Sequence, residues 1–209
     1  MEEKLLNSSS NILHGFLGLP GDFNFLNGIA HGIKPASSME EWAIKFNKTT
    51  TGSTLIGYSM GGRLALHAWK QDPTRWKKLI LISTSPGLAP KEREARLIND
   101  YKWADRFEKD DWDHVVRDWN NQEVLKSFNV PRKEADFDRK ELAEIMRNFS
   151  VAKQEIIEPH AIWIVGENDH KLRQRISHLN PIVIPKAGHR LPWEAQKELR
   201  SIISEALEF

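Results

Sequence analysis

Apolar positions along the chain fall into two rhythms. Short, mostly apolar runs at Asn11–His14 (NILH), Ser53–Gly57 (STLIG), Lys78–Ile82 (KLILI), Ala161–Val165 (AIWIV) and Pro181–Ile184 (PIVI) read as strands, Lys78–Ile82 as a buried one. A stub of strand is expected around Ile29–Ile33. Between the runs lie stretches with helical spacing. Ser38 followed by Glu41 is a capping-box signature that opens a helix through about Lys48, because each side chain can satisfy an orphan backbone N–H. Arg63–Lys70 reads as a helix that Asp72-Pro73 ends, and Trp193–Leu207 as an amphipathic closing helix with Pro192 near its start. From Lys91 to Ile157 the pattern is helical, charged and punctuated by tryptophan, with no strand.

Strand and helix alternation with short connections predicts a right-handed, mostly parallel α/β sheet of about six strands, with NILH near one edge. The helical block falls between two of these strands. Residues 1–209 therefore read as a single domain with a helical cap inserted over about 89–157. Active sites of such sheets lie outside the carboxyl ends of the strands, so a cap inserted there acts as a lid.

Composition removes several function classes. The 30 Lys+Arg against 29 Asp+Glu leave a net charge of +1, which argues against a nucleic-acid partner, since phosphate neutralisation needs a basic face. No cysteine is present, which excludes disulfides, a thiolate nucleophile and Cys-ligated metal sites. The eight histidines hold no i,i+4 pair of the kind that binds metal on a helix. No apolar run approaches the roughly 18 residues of a membrane span. The opening MEEKLLNSSS lacks the apolar core of a signal peptide, so a soluble cytoplasmic protein is expected. The eight tryptophans are read as packing mass.

The chemistry concentrates at Gly57-Tyr58-Ser59-Met60-Gly61-Gly62. In a G-x-S-x-G pattern between a strand and a helix, the serine occupies a sharp turn that lifts its Oγ to the top of the sheet. Such a nucleophile needs a base, an orienting acid and an oxyanion site. Asp169 follows the AIWIV strand and His189 follows the PIVI strand, so both fall at the same sheet edge as Ser59. The chain order Ser, Asp, His is that of an α/β-hydrolase. His189 would take the Ser59 proton while Asp169 fixes the imidazole tautomer. Glu167 is the alternative acid, and His170 is read as a surface residue. The backbone N–H of Met60 is one expected oxyanion donor, and that of Phe16, in the loop after the first strand, is the second. His14 is read as a structural hydrogen-bonder beneath that loop.

The whole chain resembles the α/β-hydrolase superfamily, and within it the 2-succinyl-6-hydroxy-2,4-cyclohexadiene-1-carboxylate synthase family of menaquinone biosynthesis. The likeness rests on LHGFLG (Leu13–Gly18), GYSMGGRLAL (Gly57–Leu66), SPGL (Ser85–Leu88), the Arg93/Arg96 helix, DYKWADRFE (Asp100–Glu108), Asp118-Trp119, MRNFSVA (Met146–Ala152) and AGH (Ala187–His189). The resemblance implies a lyase that abstracts a proton from a succinyl-cyclohexene carboxylate and expels pyruvate, without metal or organic cofactor. Ser59, His189 and Asp169 would form the proton-abstracting unit. By the family's motifs, Arg96 and Arg147 would hold the carboxylates of this small-molecule substrate, joined by Arg63, four residues after Ser59 on the helix that follows it, with Tyr58 and Trp119 as pocket aromatics. Arginine suits that task because its planar fork meets a carboxylate two-pronged. Arg93 is left as a solvated position. A carboxylic-ester hydrolase working through an acyl-serine, or a non-catalytic binding protein of the same fold, are the alternatives. The chain departs from the superfamily between Gly18 and Ser38, where LPGDFNFLNGIAHGIKPAS lacks the usual Asp-x-Pro-Gly-x-Gly-x-Ser loop.

Overall fold

A computed structural model describes residues 10–208 of the chain. The amino-terminal segment read as lacking a signal peptide lies outside the described residues, apart from Ser10. The central sheet has six strands: β1 (Ser10–Leu13), β2 (Ile29–His31), β3 (Thr54–Tyr58), β4 (Lys78–Ile82), β5 (Ile162–Gly166) and β6 (Ile182–Ile184). Their spatial order is β2-β1-β3-β4-β5-β6, and every neighbouring pair is parallel, so the sheet is wholly and not just mostly parallel. β1 stands one strand in from the edge, because the Ile29–His31 stub pairs outside it.

Side chains alternate across the sheet with the period of two that a strand imposes. Leu13, Leu55, Leu79, Leu81, Trp163 and Val165 face one layer, where they meet α1 (Met39–Thr49) and α2 (Met60–Gln71) through Trp42, Phe46, Leu64 and Ala68. Ile12, Ile56, Ile80, Ile82, Ile164 and Ile184 face the other layer and pack on Leu199 and Ile203. Between β4 and β5 the chain forms three longer helices, α3 (Pro90–Lys109), α4 (Trp112–Asn120) and α5 (Arg139–Asn148). These share a separate cluster built on Phe107, Trp112, Val115 and Met146, which Leu17 of the β1 loop joins. The carboxyl-terminal half adds α6 (His170–Arg175), α7 (Leu191–Glu194) and α8 (Gln196–Glu208). None of the described helices is long and apolar enough to cross a membrane.

Two local expectations are modified. Ser38 Oγ accepts the Glu41 N–H at 3.1 Å, but the Glu41 carboxylate takes the backbone N–H of Ser37 at 2.9 Å, so the reciprocal half of the box is displaced by one residue. The closing helix is also not continuous. It breaks at Ala195 (φ −143°), because the Glu194 carboxylate turns back to accept the backbone N–H groups of Gly188 and Arg190.

Candidate active site

The turn after β3 holds Ser59 at φ 52° and ψ −114°, a conformation that costs a side-chain-bearing residue about 1–3 kcal/mol. It persists because its surroundings over-determine it. Ser59 N–H donates to the Ile82 carbonyl at 2.9 Å, and the Ser59 carbonyl accepts from Gly62 N–H at 3.1 Å and Thr84 Oγ1 at 2.7 Å. The glycines permit this tightness. A Cβ on Gly61 would meet the carbonyls of Leu13 and His14, and one on Gly62 would stand 2.6 Å from Thr84.

Ser59 Oγ lies 3.1 Å from His189 Nε2, and His189 Nδ1 lies 2.6 Å from Asp169 Oδ2. The three residues come from the turns after β3, β6 and β5, so the parallel sheet delivers them to one edge. Asp169 has a second duty as the N-cap of α6, where Oδ1 accepts the Leu172 N–H at 3.4 Å. Glu167 does not approach His189; its carboxylate accepts the Lys186 N–H at 2.8 Å. His170 is exposed. Buried His14 lies 2.8 Å through Nδ1 from the Gly15 carbonyl, and burial lowers its pKa. The backbone N–H groups of Phe16 and Met60 have no backbone or side-chain acceptor among the described residues. Gly15 brings the loop of Phe16 against Ser59, since a Cβ on Gly15 would stand 3.3 Å from Ser59 Cβ.

A small cavity open to solvent lies over Ser59 and His189. Tyr58 and Trp119 both line it. Burial raises the Tyr58 phenol pKa well above its ordinary value, so the group stays neutral. Phe16 holds the loop to the helical block by packing on Phe107 and Trp119, each with ring centroids 5.1 Å away. Gly15, Phe16 and Leu17 also line a second, open cavity together with Met60.

The three expected arginines do not line the cavity over Ser59. Arg63 Nη2 donates to the Phe149 carbonyl at 2.9 Å, its Nε is sealed without a partner, and burial with Arg96 nearby pulls its pKa down to about 9. Arg96 Nε donates to buried Asp100 at 2.7 Å. Arg147 Nη2 is held between Asp105 at 2.6 Å and Glu108 at 2.8 Å, on the outer side of α3 and α5. Neighbouring acids thus hold the side chains of Arg96 and Arg147. Arg93, expected in solvent, is half-buried and donates to the Leu88 carbonyl at 3.2 Å.

Two other arginines line the cavity, Arg132 and Arg190. Arg132 is bound two-pronged to Asp22 and also donates Nε to the Leu17 carbonyl at 2.7 Å. Arg190 donates Nη1 to the Phe128 carbonyl at 2.6 Å. The one available signal for Arg190 was its place next to His189. Arg132 and Asp22 are 110 residues apart, and nothing local announces their pairing.

A parallel sheet with a serine at a strand-to-helix turn, an acid after the penultimate strand and a histidine after the last is the arrangement of the α/β hydrolases. A family model described as alpha/beta hydrolase fold matches residues 51–166, and the chain belongs to that family. Its relatives there are enzymes named 2-succinyl-6-hydroxy-2,4-cyclohexadiene-1-carboxylate synthase. That of Serratia proteamaculans (strain 568) is 31% identical over 170 residues, covering 71% of this chain and 67% of the relative. That of Escherichia coli O1:K1 / APEC is 29% identical over 171 residues, covering 74% and 68%. The aligned stretch thus spans about two thirds of each relative. Among solved structures, MenH from S. aureus superposes with a TM-score of 0.80 at 21% identity, covering 97% of this chain and 94% of that one. A thermophilic esterase from Thermogutta terrifontis superposes at 0.71 and 18% identity, covering 97% and 91%.

Proposed function

We propose that the chain is a pyruvate-eliminating lyase of menaquinone biosynthesis acting on a succinyl-cyclohexene carboxylate; its relatives are named for the synthesis of a succinyl-hydroxy-cyclohexadiene carboxylate, which such an elimination would form. The observation that carries this reading is the unbroken chain Ser59–His189–Asp169, opening into a walled cavity. In this reading His189 Nε2 accepts the Ser59 proton, and Ser59 Oγ removes a proton from the carbon beside a substrate carbonyl. The electron pair moves onto that carbonyl oxygen, where the N–H groups of Phe16 and Met60 receive the developing charge. The enolate then reforms its carbonyl as the ring C–O bond to the enolpyruvyl ether breaks, and the departing enolpyruvate takes the proton held on His189 to become pyruvate. Asp169 keeps the imidazole in the required tautomer and stabilises the imidazolium. The helices of about 89–157 serve as the cap over this site.

A second reading is a carboxylic-ester hydrolase in which Ser59 adds to the carbonyl and is acylated. The ion pairs of Arg96 with Asp100 and of Arg147 with Asp105 and Glu108 favour it, because they withdraw two cations that a polycarboxylate would need. Pyruvate release from the pathway intermediate, measured beside turnover of a panel of nitrophenyl esters, decides between the two. Turnover of esters alone would make the chain a hydrolase. Failure of an activated-serine probe to label Ser59 would leave a binding protein of this fold.

A further inference from the structure

Of the two guanidinium groups on the wall of the cavity over Ser59, that of Arg190 is the one without an ion pair among the described residues. It is 5% exposed, and it forms no ion pair among the described residues. Among the described residues its side chain makes one hydrogen bond, from Nη1 to the Phe128 carbonyl, and its unpaired nitrogens keep some contact with solvent. The nearest acid in sequence, Glu194, is occupied elsewhere: its carboxylate accepts the backbone N–H groups of Gly188 and Arg190 and the Ser127 hydroxyl. Arg132, the other cation on the wall, is already matched by Asp22. Burial lowers the Arg190 pKa below its ordinary value, and an anion placed against its unpaired nitrogens would offset that cost. The same wall carries the apolar and aromatic side chains of Val130, Leu125, Trp119 and Trp193 beside the polar ones of Asn120 and Arg132.

The geometry points to Arg190 as the substrate anchor of this site, binding the carboxylate of an acid with an apolar or aromatic body whose reacting carbonyl lies at Ser59. The inference deepens the proposed function and rests on its placement of the reaction at Ser59. It assigns anion recognition to the loop that carries His189, where the sequence pointed to α2, α3 and α5. Because the anchor adjoins the base, anion binding also positions the substrate against it.

The test compares benzoate with benzamide, two ligands of one shape that differ in charge. Equilibrium binding is measured on the Ser59→Ala protein, so that the result does not depend on turnover. Benzoate should bind about 10- to 100-fold more tightly than benzamide, the range expected of a charge-assisted hydrogen bond. Arg190→Ala should abolish that preference, with benzamide binding reporting that the cavity persists. Arg190→Lys should restore part of it. If the alanine variant does not fold, Arg190→Gln carries the same comparison. A preference that survives loss of Arg190, one that disappears in Arg147→Ala instead, or none in the parent protein would overturn the inference. Failure of the catalytic reading is seen separately, as ester or lyase turnover that survives Ser59→Ala.

Discussion

Asp169 Oδ2 lies 2.6 Å from His189 Nδ1 with the carboxylate side chain 3% exposed, so water does not compete for that contact. The pairing leaves Nε2 free to accept from Ser59. Replacing Asp169 with Asn substitutes an NH₂ donor that favours the opposite tautomer, with the proton on Nε2. Turnover should fall by about 10³- to 10⁴-fold at a nearly unchanged melting temperature. The kcat of a nitrophenyl ester measures it, and a loss below tenfold would assign orientation of the imidazole to another group.

Gly61 is the position at which the turn tolerates least. A Cβ there would run into the carbonyls of Leu13 and His14, and backbone cannot step aside as a side-chain tip can. Gly61→Ala should cost about 3 kcal/mol or more and lower activity with stability, since it forces apart β1 and the turn that presents Ser59. Urea denaturation checks it, and a midpoint unchanged from the parent would contradict the packing described here.

Arg132 joins the segment after α4 to the loop after β1, through Asp22 and the Leu17 carbonyl. Both side chains are 10% exposed. Arg132→Ala strands a buried carboxylate and should destabilise the fold by about 3 kcal/mol. Adding Asp22→Asn should recover part of that loss. Thermal melts of the single and double variants measure the coupling, and additive losses would show that the two groups act independently.

Glu92 and Arg175 link α3 to α6 through a two-pronged pair, with contacts of 2.6 and 2.9 Å. Arg175 beside Glu92 holds its carboxyl down at about 2. A carboxylate whose folded pKa is depressed contributes stability above its unfolded value, near 4.5, and loses it as pH falls toward 2. The contribution is small because the pair is partly solvated. Melting temperature followed from pH 5 to pH 2 should therefore fall less steeply in Glu92→Gln than in the parent. Parallel curves would place the acid sensitivity elsewhere.

The sheet and its three edge residues were readable because each depends on local pattern. β3 is buried at all five positions, so it shows as one apolar run; β5 and β6 are likewise apolar in sequence, and Ser59, Asp169 and His189 each lie in the turn after one of these strands. The arginines were not readable in the same way. Whether a cation faces substrate depends on which acids reach it, and those of Arg147 lie 42 and 39 residues away. The break at Ala195 was hidden for a related reason. The apolar period continues through it, while the cause is a Glu194 carboxylate recruited by the backbone of residues 188 and 190.

The positive φ of Ser59 bears on what natural selection can hold at this position. Glycine adopts φ 52° without penalty, so Ser59→Gly should yield a protein that is inert yet more stable than its parent, by up to about 1 kcal/mol. The fold by itself thus has no reason to keep a serine here. A lineage released from catalysis would be free to drift to glycine, and a hydroxyl-bearing residue endures at so strained a turn only while its oxygen is in use.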